Sequence, residues 1–156
     1  MGNGRTVVQM INGHDIVSCR LAPKKNIIKK HRLLENIKRI IDDLNYDVDF
    51  IIVEGIHDEK ALRYLGYDGP IIRLCSSGLI ISRFIDKISA KFQGKRGAIL
   101  VDFDKKGKQL NRQLIMKLSN RSVKIDQNIR RKLEDLISPE GIYAIEGISM
   151  LGKIYE

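Results

Sequence analysis

An α/β fold with a mainly parallel central sheet flanked by helices is predicted by three features of this 156-residue chain. Short β-branched runs alternate with amphipathic segments of about 10–15 residues, the pattern of strand–helix–strand units. The run Phe50-Ile51-Ile52-Val53 is apolar on both faces, as a parallel strand buried between two helix layers must be. Two such runs end in carboxylates, Glu54 after Val53 and Asp102 with Asp104 after Val101. In open parallel sheets, function gathers at those carboxyl ends.

Residues 1–26 read as an N-terminal extension, either loose or a hairpin in which 6–11 and 14–21 flank an Asn12-Gly13 turn. The segment 27–46 is a leading basic helix, since Ile27, Leu33, Leu34, Ile37, Ile40, Ile41 and Leu44 recur at helical spacing with Lys and Arg between them. Residues 47–156 form the domain proper. Its first strand is 50–53, and a helix over 57–65 then turns Ala61, Leu62 and Leu65 inward, with Gly66 placed to end it. A strand is predicted over 70–75, where Cys75 reads as a small buried hydrophobe. Gly78 opens a loop before a helix over 79–92 that buries Ile81, Phe84, Ile85 and Ile88. The third strand is 97–101, and helices follow over 108–118 and 127–137. Pro139 and Gly141 then introduce a short strand over 142–145.

Hydrophobic residues at 43% supply a real core, and 30% charged residues supply its surface. No run approaches the ~18–20 apolar residues of a membrane span, and residues 1–11 lack an export signal, so a cytoplasmic protein is expected. Cys19 and Cys75 are too few and too distant for a disulfide scaffold or a Cys zinc site. The 28 Lys and Arg exceed the 19 Asp and Glu by nine. They are concentrated in two stretches, 20–39 and 105–132, each holding a single acid. A basic surface around an acidic centre suits a protein that binds a polyanion, although a merely well-solvated surface has the same composition.

Glu54, Asp102 and Asp104 at neighbouring strand ends would be like charges that cannot all ionise cheaply without a cation. Oxygen ligands without nearby His or Cys suit Mg2+, or Mn2+, rather than zinc. An acid-x-acid triplet alone carries little weight, since about two are expected from composition and Asp47-x-Asp49 is another. Strand-end acids also commonly cap the next helix. Gly55 and Gly107 leave room for a close approach of backbone or substrate, and Ser76-Ser77-Gly78 could hold phosphate through backbone N–H groups or be an ordinary loop.

The segment Ile51-Ile52-Val53-Glu54-Gly55, with Asp58 three beyond the glycine and Leu65-Gly66 after it, resembles the first motif of the Toprim domain. Ile99-Leu100-Val101-Asp102-Phe103-Asp104, followed by Gly107, resembles the second. Over its whole length the chain is similar to small uncharacterised archaeal stand-alone Toprim proteins, and its motifs to the Toprim parts of primases and of the nuclease that matures the smallest ribosomal RNA. The resemblance implies a Rossmann-like Toprim fold and a Mg-dependent nuclease acting on structured RNA or DNA. Glu54 would then be the general acid/base and touch the metal. Asp102 and Asp104 would hold one or two Mg2+ ions, and Asp58 would be an accessory acid, although a helix first-turn acid explains it equally. Backbone contacts would come from Lys29, Lys30, Arg32, Lys105, Lys106, Lys108, Arg130, Arg131 and Lys132. The alternative is a non-catalytic module that binds metal and nucleic acid, or a protein, without turnover. The chain is too short for a topoisomerase gate or a primase's extra regions. Tyr64 and Tyr143 read as packing or surface aromatics, and His57 as a helix N-terminal polar residue.

Overall fold

The alternation along the central strand sets the architecture. Ile51 and Val53 face one side of the sheet and Phe50 and Ile52 the other, and all four are fully buried. The computed structural model describes residues 6–7, 19–20, 24–74 and 80–155. Among these, β1 (Thr6–Val7) and β2 (Cys19–Arg20) pair antiparallel, in the sense expected of the hairpin. The Asn12-Gly13 turn lies outside the described residues. There follow α1 (Lys24–Asp47), β3 (Phe50–Val53), α2 (Ile56–Tyr64), β4 (Ile71–Arg73), α3 (Ile81–Phe92) and β5 (Arg96–Ile99). The chain continues through α4 (Lys105–Ser119), β6 (Lys124–Asp126), α5 (Asn128–Ile137), a 3-10 turn (Ser138–Glu140) and α6 (Ile145–Tyr155).

β3 to β6 form one parallel sheet in the order β4-β3-β5-β6. From β3 the chain moves outward to β4, then crosses back past β3 to β5. The direction of winding thus reverses between β3 and β5, which opens a crevice at their carboxyl ends. The ladder runs one residue past β5, where the Leu100 N–H donates to the Ile52 carbonyl at 2.8 Å.

Two cores flank the sheet. On one face Leu34, Ile37, Ile41 and Leu44 of α1 meet Ala61 and Leu62 of α2, Leu133 and Ile137 of α5, and Ile148 of α6. On the other, Phe84, Ile85 and Ile88 of α3 meet Leu114 and Leu118 of α4 over Phe50, Ile52, Ile99 and Val101. Residues 27–46 therefore share the domain's core. Close packing fixes one glycine: a Cβ at Gly97 would enter the Phe50 ring, which stacks on Phe92.

Three elements differ from the sequence expectation. Residues 142–145 are not a strand, because Ile145 already begins α6. One backbone bond ties the segment to the aspartate loop, Phe103 N–H to the Tyr143 carbonyl at 2.6 Å, and the apolar Ile145 is buried. The sheet's fourth strand is instead β6, whose Lys124-Ile125-Asp126 has only one apolar residue because it lies at the edge. Helix α4 also starts three residues earlier than its apolar period suggests, because Asp104 caps it. Among the described residues no helix is long and apolar enough to cross a membrane.

Candidate functional site

Glu54 leaves β3 and Asp102 follows β5, so adjacency of those strands brings two acids distant in sequence to the same crevice. The Asp102 N–H donates to Glu54 Oε1 at 3.2 Å. Burial pushes the Asp102 carboxyl above the usual carboxylate range, and the charges of Glu54 and Asp104 push it further, against the opposing pull of Arg130. Asp104 is exposed, and its Oδ1 accepts the Gly107 N–H at 2.7 Å as the N-cap of α4. It is thus both a helix cap and a member of the acid group. Gly107 is required here, because a Cβ at that position would collide with the Asp102 carbonyl. Gly55, by contrast, has open space where a side chain would stand.

Asp58, in the first turn of α2, accepts the Gly55 N–H at 3.2 Å and is 9% exposed. Burial raises its pKa, and Asp102 and Glu146 raise it too. Glu146 is the residue that sequence reasoning missed. The first turn of α6 brings it to the acids, within 3.8 Å of the exposed His57 Nδ1. A signal was present in the sequence, since Ile145-Glu146-Gly147-Ile148 echoes Val53-Glu54-Gly55-Ile56.

The basic residues divide. Arg32, Lys105, Lys106, Arg131 and Lys132 are exposed, as a polyanion-binding role requires. Lys29 and Lys30 both pair with Glu140, and Lys108 pairs with Glu134 at 2.5 Å. Arg130 does not belong to the surface set. It is 6% exposed, donates to the Val101 and Asp102 carbonyls at 2.5 and 2.6 Å, and lies 4.3 Å from the Phe103 ring centroid. It is a clamp on the loop that carries the two aspartates, because the inward face of α5 turns it toward β5. Ser76, Ser77 and Gly78, with Cys75, lie outside the described residues.

Among the described residues no three His, Cys, Asp or Glu side chains stand close enough to make a ready-made metal cage. The donor chemistry still fits Mg2+, which takes oxygen ligands and commonly uses only one or two carboxylates beside water and substrate phosphates. Glu54 and Asp102 are the carboxylates best placed, with Asp104 at the rim.

The fold and this crevice define a class: an α/β protein with a four-stranded parallel sheet and carboxylates gathered at its switch point. No protein-family model matches the chain. The chain belongs to the UPF0292 family. It is 33% identical over 129 residues to the UPF0292 protein of Thermococcus gammatolerans, covering 78% of this chain and 86% of that one. With the UPF0292 protein of Pyrococcus horikoshii it is 37% identical over 125 residues, covering 76% and 87%. With that of Methanocaldococcus jannaschii it is 26% identical over 123 residues, covering 78% and 93%. Among solved structures, a putative protein from Aquifex aeolicus has a TM-score of 0.53 at 24% identity, covering 75% of this chain and 95% of that one, a likeness of fold.

Proposed function

We propose that this is a Toprim-type protein that processes nucleic acid with Mg2+, most simply as a nuclease cleaving phosphodiesters of RNA or DNA. The observation that carries the reading is the meeting of Glu54 with Asp102 at the switch point, with the Asp102 carboxyl raised by burial and then by the charges of Glu54 and Asp104. Such crowding favours a bound cation. Bound Mg2+ would neutralise charge on the scissile phosphate. Glu54, half-buried beside the crevice, is the group to move the proton at the reacting oxygen. Arg130 holds the aspartate loop still, and the exposed cations of α1, α4 and α5 attract the phosphate backbone.

The non-catalytic alternative draws on a specific observation. Asp104 and Asp58 each cap a helix, which leaves fewer carboxylates free for a second ion. Glu54→Gln separates the two readings, since it keeps the shape and removes the titratable oxygen. Cleavage of structured RNA or DNA with Mg2+ should slow ~10²–10⁴-fold while binding persists. Equal cleavage by parent and variant would remove Glu54 from the mechanism, and cleavage by neither would select the binding module.

A further inference from the structure

Beside the aspartate loop, on the far side of Arg130, helices α4 and α5 straddle the open edge of β6. Since α4 packs on one face of the sheet and α5 on the other, the edge strand forms the floor of a groove between them. A cavity of about 280 Å³ lies there, and a second of about 310 Å³ adjoins it through Ile125, Asp126, Gln127 and Arg131. We propose that this groove seats an unpaired nucleotide of a single strand, with its phosphate between Arg112 and Arg131 and its base against Ile115 and Ile125. The inference rests on the nucleic-acid reading above and narrows it from structured nucleic acid in general to a single-stranded segment entering the crevice.

Charge supports an anion at this place. Six ionisable side chains line the first cavity, four basic and two acidic, and both acids are already paired. Asp126 accepts from Arg96 and from the Asn128 and Ile129 N–H groups, which hold its carboxyl below the usual range although burial acts the other way. Glu134 is paired with Lys108. Arg130 is committed to the Val101 and Asp102 carbonyls. Arg112 on α4 and Arg131 on α5 are exposed and have no ion pair among the described residues, one on each wall.

Size and lining select the rest of the ligand. The volume sits at the bottom of the ~300–1,000 Å³ range of small-molecule sites, enough for a nucleotide and far too small for a duplex. Ile115 and Ile125 are half-buried, an apolar floor that a base can cover, and the Asn111 and Gln127 amides offer donors and acceptors to its edge. Backbone continuity supplies the link to the crevice. Lys108, which lines the cavity, donates its N–H to the Asp104 carbonyl at 2.9 Å, one helical turn from the cap of α4. A strand whose phosphate lies at Glu54 and Asp102 therefore reaches the groove with its neighbouring nucleotides.

The test uses fluorescence anisotropy over a salt series. The probes are a labelled single strand of about eight nucleotides, as RNA and as DNA, the same sequence as a blunt duplex, and uridine monophosphate as competitor. The variants are Arg112→Ala with Arg131→Ala, and a control of equal charge loss elsewhere, Lys60→Ala with Lys87→Ala. All four side chains are exposed, so the melting temperatures should match the parent's. The parent should bind the single strand more tightly than the duplex or the mononucleotide. The groove variant should lower the log–log salt slope by about 0.7, the value for the one phosphate held between the two arginines on a single strand, while the control leaves it in place. A groove variant that behaves like the control overturns the groove and leaves the nucleic-acid reading intact. Equal affinity for duplex, or for the mononucleotide, overturns the single-strand assignment. A parent that binds no nucleic acid at low salt overturns both.

Discussion

Replacing Arg130 with Met keeps an unbranched stem of similar bulk and removes the head that clamps the aspartate loop. Two short hydrogen bonds disappear, to the Val101 and Asp102 carbonyls, each worth ~1.5–3 kcal/mol for a charged donor. The cation over Phe103 adds ~0.5–2 kcal/mol. Against this stands the several kcal/mol no longer needed to strip water from a buried guanidinium. With two carbonyls left without a donor, the net loss should be about 2–4 kcal/mol. In urea, with a slope of ~1–3 kcal/mol/M, the midpoint should fall by roughly 1–2 M at neutral pH. The loss also depends on pH. Arg130 is the cation that opposes Glu54, Asp102 and Asp104, so its removal costs most where those acids are ionised. As pH falls, Asp102 protonates early because its carboxyl is already raised, and the penalty should shrink. Arg130→Lys should fall between, since an ammonium keeps the charge but cannot span both carbonyls. A loss below about 1 kcal/mol, or one identical at neutral and acidic pH, would refute the clamp.

Asp102→Asn should stabilise the metal-free protein at neutral pH. A carboxyl raised on folding binds its proton more tightly in the folded state, so its unfavourable contribution grows as pH rises from the ordinary carboxylate range through the raised value. The gain should therefore vanish in acid, and in the double variant with Asp104→Asn the melting temperature should no longer rise with Mg2+; a persistent Mg2+ shift would exclude these aspartates as its site. Gly107→Ala forces α4 away from the Asp102 carbonyl and should cost more than about 2 kcal/mol by urea titration, whereas Gly55→Ala, with open space around it, should cost under about 1 kcal/mol. Equal losses at the two glycines would refute the contact.

The sheet was legible where strands are buried on both faces. Phe50-Ile51-Ile52-Val53 is unambiguous because four consecutive apolar residues have two cores to enter. The edge strand β6 was not, since Lys124 faces water and Asp126 is neutralised by Arg96 and two backbone donors, contacts that no local pattern encodes. Ile142 to Ile145 read as a strand because β-branched residues suit either a pleat or a buried helix start, and only the packing of α6 on α1 and α2 decides. Glu54 and Asp102 were placed by the rule that strand ends carry function, and they do meet. Arg130 looked like one of three surface cations, because a run of Arg-Arg-Lys does not say which member the helix turns inward.

Where the acids lie along the chain decides when their repulsion is felt. Glu54 and Asp102 are 48 residues apart in sequence, and Glu146 arrives on the last helix. A folding chain can form β3, α2 and much of the surrounding core while these charges are still dispersed in water. Their mutual repulsion enters only when β5 pairs with β3 and α6 docks, so it opposes those long-range steps and not the formation of the local elements. Hydrogen exchange should find α6, the helix that brings Glu146 to the other acids, opening at lower free energy than the buried strand β3.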